Sequence, residues 1–110
     1  MKTEQPTLIT SVIAAGNLFK NLFVGFNGAL PASDVKVLGV VNADTDSGEQ
    51  APVMVQGIAL VRSNSAISQG SPVTTHSNGK AKQVTSTEII NGYALDAATG
   101  VDELIRVLLV

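Results

Sequence analysis

Val37-Leu38-Gly39-Val40-Val41-Asn42-Ala43-Asp44 reads as a short apolar strand with a glycine inside it, closed by a polar turn. Ile90-Asn91-Gly92-Tyr93-Ala94-Leu95-Asp96-Ala97 answers it later in the chain, with Gly92 in the place of Gly39. Upstream, Asn27-Gly28 is matched by Asn78-Gly79; downstream, Pro52-Val53-Met54-Val55 is matched by Leu104-Ile105-Arg106-Val107. The repeated order is hairpin, glycine-containing strand, polar turn, strand, and it predicts two similar β-motifs packed together. Reuse of a small vocabulary of Gly turns and Val strands is the alternative explanation.

The rest of the chain continues in the same way. Ten glycines and many Asn, Ser, Thr and Asp residues separate short stretches rich in Val, Ile and Leu, which favours short strands over long helices. Strands are expected at Leu8 to Ala14, Leu22 to Phe26, Val35 to Val41, Pro52 to Arg62, Pro72 to Thr75, Lys80 to Val84, Asn91 to Ala97 and Asp102 to Leu109. Both Asn-Gly pairs offer two residues tolerant of positive φ and predict hairpins. Helical spacing can be read only in Ser11 to Phe23, which Gly16-Asn17 interrupts, and in Thr85 to Ile90, which Asn91-Gly92 ends. The fold class is therefore all-β, a small β-barrel or two-sheet β-sandwich with at most one short helix, because closure buries one face of each strand without leaving long edges. Residues 1–7 are polar and contain Pro6, and are expected to form a flexible amino-terminal arm. Residues 8–110 are read as a single β-domain holding the two repeated motifs.

With 110 residues the chain can build one modest core and not two independent domains. It is 45% hydrophobic and 15% charged, with a mean hydropathy of +0.29, so part of its apolar surface is expected to be covered by a partner. A net charge of −2 with seven dispersed basic residues supplies no positive field for nucleic acid. The absence of cysteine excludes disulfides, thiolate metal sites and thiol nucleophiles. No apolar run approaches the roughly 20 residues of a membrane-spanning helix, and Glu4 and Pro6 spoil the start as a secretion signal. The expectation is a soluble protein made in the cytoplasm.

Candidate chemistry is sparse. His76 is the only histidine and sits in Thr74-Thr75-His76-Ser77-Asn78, a polar approach to a turn, with no nucleophile elbow elsewhere to activate. Asp44, Asp46 and Glu49 put oxygen ligands near Gly48, but Val55 stands where a calcium loop would place its bidentate glutamate; a solvated hairpin tip is the better reading. There is no glycine-rich phosphate loop. Phe19, Phe23 and Phe26 are read as core anchors of the first sheet, with a subunit contact as the alternative. The expectation is a protein that is not an enzyme and takes no cofactor or metal.

The stretches Phe23-Val24-Gly25-Phe26-Asn27-Gly28-Ala29-Leu30-Pro31-Ala32, Val37 to Val40, Ile67-Ser68-Gln69-Gly70-Ser71-Pro72-Val73, Gly92 to Ala98 and Leu104 to Leu109 together resemble the small capsid decoration, or cement, proteins encoded among tailed-phage head genes. That resemblance implies a non-enzymatic role: binding the outer surface of an expanded capsid, bridging major capsid protein subunits and stabilising the shell. It implies residence on the virion's outer capsid surface, synthesis in the host cytoplasm, and the major capsid protein and the chain itself as partners. A homotrimer is favoured, with a dimer as the alternative. In the arm, Lys2, Thr3, Glu4, Gln5, Pro6 and Thr7 are the candidate capsid contacts, since an extended polar segment can add to an exposed sheet edge. A virion-surface receptor- or carbohydrate-binding β-module is the alternative function.

Overall fold

The computed structural model describes residues 3–110. Eight strands form one sheet: β1 (Gln5–Ile13), β2 (Phe23–Val24), β3 (Gly39–Val41), β4 (Gln50–Arg62), β5 (Pro72–Thr75), β6 (Ala81–Gln83), β7 (Gly92–Ala94) and β8 (Leu104–Leu109). Their order is β2-β3-β4-β8-β7-β5-β6, with β1 paired to β4 off that path, and every named pairing is antiparallel. No helix occurs among the described residues, so neither Ser11 to Phe23 nor Thr85 to Ile90 is helical. The fold is all-β and barrel-like.

Every strand read from the sequence is present, five of them shorter than read, and in one of these a side chain binds the backbone in place of a ladder. Asn91 shows how: its amide accepts from the Val37 N–H at 3.1 Å and donates to the Val35 carbonyl at 2.8 Å. The segment before Gly39 is thereby pinned without a neighbouring strand, and β3 keeps only three residues. The Asn78-Gly79 pair lies in the hairpin between β5 and β6. Asn27-Gly28 makes a tight turn, with the Gly25 N–H on the Ala29 carbonyl at 2.8 Å, but the chain beyond it does not return as a strand, so the second expected hairpin is absent.

The sheet curls back on itself at two places. Ser63, just past β4, bridges in parallel to Ala81 of β6, and the Asn64 N–H reaches the Ala81 carbonyl at 2.7 Å. Likewise the Ala15 N–H, just past β1, reaches the Gly28 carbonyl at 3.0 Å. Inside lie two apolar clusters. The larger holds Phe23, Val40, Met54, Ala59, Val61, Val73, Ala94, Ile105 and Val107 among others; the smaller holds Ala14, Leu18, Val24, Val41, Ala51 and Val53.

β4 walls both clusters, and one residue permits it. Strand alternation would send Met54 and Ala59 to opposite faces, yet both are in the larger cluster. Between them Gly57 has φ +110°, and a Cβ there would stand 2.3 Å from the Gln5 carbonyl oxygen. Only glycine fits both the conformation and the approach of β1, and the strand turns its faces over at this point.

Candidate functional site

β1 is the longest stretch of exposed strand. Eight of its nine residues are exposed and Val12 is half-buried. Val53, Met54 and Ile58 each carry two strand partners, one from β1 and the other from β3 or β8. β1 therefore occupies the side of β4 opposite those strands, and among the described residues its own second edge has no strand beside it. Gln5-Pro6-Thr7-Leu8-Ile9-Thr10-Ser11-Val12-Ile13 contains no charge. Pro6 and the register shifts on either side of Leu8 interrupt the first half of this edge, as protected edges commonly are; Ile9 to Ile13 run in unbroken register.

The structure places the candidate contact residues at the start of this strand. β1 begins at Gln5, three residues before the start read from the sequence, so Gln5 faces Ile58 and Pro6 faces Gly57 across the ladder. Thr7 follows within the strand, and Thr3 and Glu4 precede it. Lys2 lies outside the described residues. The sequence reading passed over Leu8, Ile9 and Ile13, which are large, apolar and exposed. The signal for them was there: apolar residues stand at both alternating parities of β1, as in a strand with neither face inside a core.

Two of the three phenylalanines are not core anchors. Phe23 is fully buried, whereas Phe19 and Phe26 are 57% and 65% exposed. Phe26 sits in the Gly25–Ala29 turn, which the Gly28 carbonyl ties to the end of β1. A turn held by backbone hydrogen bonds leaves its side chains free to point outward, and that carries Phe26 to the surface.

The groups singled out for chemistry stay apart. The His76 ring nitrogen Nδ1 lies 3.4 Å from both the Asn78 N–H and the Ser77 hydroxyl, local contacts of the hairpin loop. Asp44 accepts the Lys20 N–H at 2.8 Å, and Glu49 accepts the Asp46 N–H at 3.3 Å, so these two carboxylates are engaged by backbone N–H groups, one outside the acidic loop and one within it. No group of three His, Cys, Asp or Glu residues suited to a metal ion occurs among the described residues, nor does a pocket. No helix there is long and apolar enough to cross a membrane. Arg106 meets Asp96 through two parallel bonds of 3.0 and 2.9 Å; these bonds, and then the carboxylate charge, raise the guanidinium pKa above its ordinary value. Glu88 accepts the Thr85 and Ser86 N–H groups, and the Thr85 bond chiefly lowers its pKa.

The open edge of β1 is uncharged, a strand edge suited to a protein partner. The family that the sequence matches is described as phage cement protein, over residues 1–109. No curated protein matches the chain. Among solved structures the fold is similar to that in "The crystal structure of head fiber gp8.5 N base in bacteriophage phi29", with a TM-score of 0.78, 19% sequence identity, and coverage of 94% of this chain and 93% of that one.

Proposed function

The chain belongs to the phage cement protein family, a structural protein of the phage capsid, and on that premise we propose that it binds the outer surface of the expanded shell and stabilises it by bridging major capsid protein subunits. It does this without enzymatic chemistry, as a homo-oligomer, preferably a trimer, and it is made in the host cytoplasm. The observation that carries the reading is the family match across residues 1–109. The uncharged open edge of β1 supports it, since an extended capsid segment can add there by main-chain hydrogen bonds that need no particular side chains. Each such contact is small, and an oligomer engaging several capsid subunits at once converts small contacts into durable ones through effective concentration.

In this reading Lys2, Thr3, Glu4, Gln5, Pro6 and Thr7 lead from the capsid into β1. Removing residues 1–4 spares the β1–β4 ladder, whereas removing residues 1–7 also takes Gln5 and Pro6 from it. The test is a thermal challenge of DNA-filled, expanded shells. With the full chain bound, shells are expected to release DNA at a higher temperature than bare shells, and the chain lacking residues 1–4 should raise it less. Equal release temperatures with and without the full chain at saturating binding would overturn the stabilising role.

A further inference from the structure

Asparagine is followed by glycine three times, at Asn27-Gly28, Asn78-Gly79 and Asn91-Gly92. Such a pair is chemically unstable, because glycine has no side chain to keep its backbone nitrogen away from the asparagine side-chain carbon. When that nitrogen bonds to Cγ, its proton leaves with the amide nitrogen as ammonia and a five-membered succinimide remains. Water then opens the ring to aspartate or to isoaspartate. In a folded chain the side-chain amide must be free to turn toward the glycine nitrogen, and local opening must release the glycine N–H from its own acceptor.

The three sites differ in the first of these conditions. Asn91 is 1% exposed, and both ends of its amide are held, by the Val37 N–H at 3.1 Å and the Val35 carbonyl at 2.8 Å. The other two stand in matching turns. The Gly25 N–H donates to the Ala29 carbonyl at 2.8 Å and the Gly28 N–H to the Gly25 carbonyl at 3.1 Å; the His76 N–H donates to the Lys80 carbonyl at 2.8 Å and the Gly79 N–H to the His76 carbonyl at 2.9 Å. Both glycines have φ +81°, and each asparagine Oδ1 accepts the N–H two residues on, at 3.1 Å from Ala29 and 2.9 Å from Lys80. The amide nitrogens are where the turns diverge. Asn78 Nδ2 donates to Asn64 Oδ1 at 2.9 Å, whereas Asn27 is exposed and its Nδ2 has no hydrogen-bond partner among the described residues. The backbone to be opened is alike in both turns, so the leaving group decides between them. Local sequence orders them the other way, since small Ser77 precedes Asn78 and bulky Phe26 precedes Asn27.

We propose that Asn27 is the site at which the folded chain deamidates spontaneously, with Asn78 and Asn91 protected by the partners of their side-chain amides. Residues 21–33 carry no charge, and neither does β1. The new carboxylate is therefore the first charge in this turn, beside the exposed Phe26 and where the Gly28 carbonyl accepts the Ala15 N–H at 3.0 Å just past β1. Opening the ring on its backbone side, which makes isoaspartate, also runs the chain through Cβ and lengthens the turn by one atom. There is no slack to absorb it, since even a Cβ on Gly28 would run into the Ile13 carbonyl oxygen. The isoaspartyl form loses the Ala15 bond and the aspartyl form keeps it.

The experiment is incubation of the full chain at mildly alkaline pH, folded and in guanidinium chloride, followed by trypsin and mass measurement with fragmentation. Residues 21–36, 63–80 and 83–106 carry the three sites on separate peptides. In the folded chain the amide-to-acid mass gain should accumulate several-fold faster at Asn27 than at Asn78, and not at Asn91; in guanidinium Asn27 should lose its lead. Asn64→Ala frees the Asn78 amide and should raise the folded-state rate at Asn78 toward that at Asn27, with melting temperature measured alongside. If that variant melts below the incubation temperature, the folded and unfolded wild type decide alone. The separated isoaspartyl form should exchange its Ala15 amide faster than the aspartyl form. Asn78 or Asn91 leading in the folded chain, an inert Asn27 while the unfolded chain reacts, a lead that persists in guanidinium, a folded Asn64→Ala with Asn78 unchanged, or equal Ala15 exchange would overturn the proposal. The chemistry requires no capsid, so failure of capsid binding would not mimic any of these results.

Discussion

Phe23, Phe19 and Phe26 make the sharpest residue-level contrast. Phe23→Ala should cost about 3–5 kcal/mol, the ordinary penalty for emptying a buried aromatic site, whereas Phe19→Ala and Phe26→Ala should fall within about 0.5 kcal/mol of wild type; urea midpoints measure all three. In the sequence the three residues look alike, and only the turn around Gly28 and the bridge at Leu18 decide which one reaches the core. Gly57→Ala should destabilise by about 2 kcal/mol or more, since a positive φ strains any Cβ and this one would also strike the Gln5 carbonyl. Losing Asp96 is a milder change. The Arg106 side chain is 37% exposed, so solvent screens the pair and Asp96→Ala should lower the urea midpoint far less than Phe23→Ala does. Glu88 has its pKa lowered by the bonds it accepts, so the turn it holds gains stability above the ordinary glutamate range and loses it as pH falls through the lowered value. Amide chemical shifts of Thr85 and Ser86 across an acid titration should move together at that lowered pKa.

Among the elements, β1 has a solvent-facing edge and β8 has none. Among the described strands β1 pairs only with β4, so the amides of Ile9 to Ile13 are expected to exchange with deuterium faster than those of Val107 and Leu108, which sit between β4 and β7. Equal protection would mean that β1 is covered or clamped in the free protein. The position of β1 was legible from its apolar run, but its start was not. Pro6 argues for a break in any sequence reading, and it is tolerated here because it falls at a register shift where strand hydrogen bonding is already interrupted. The shortening of β3 was hidden for a different reason, since Asn91 acts on Val35 and Val37 from far along the chain and no local pattern announces such a partner.

For the whole molecule, eight strand locations and the all-β class could be read from glycine spacing and Val-rich runs, because those signals are local. The chain pairing of β4 with β8, the two closures and the division into two cores could not, since each depends on contacts between residues far apart in the chain. The proposed contact surface has only an outline in the sequence. Polar character marked residues 2–7, while the uncharged edge that follows them acquires meaning once β1 is seen to lie on the outside of the sheet. The proposed role of this edge-bearing barrel is decoration of the expanded capsid. Co-sedimentation of the purified chain with expanded, undecorated capsids of its own phage, against unexpanded shells as control, tests it most directly. Saturable binding to expanded shells alone, at a stoichiometry set by the symmetry axes, is the expected result; absence of binding at every salt concentration would contradict it and bring forward a receptor- or carbohydrate-binding role instead.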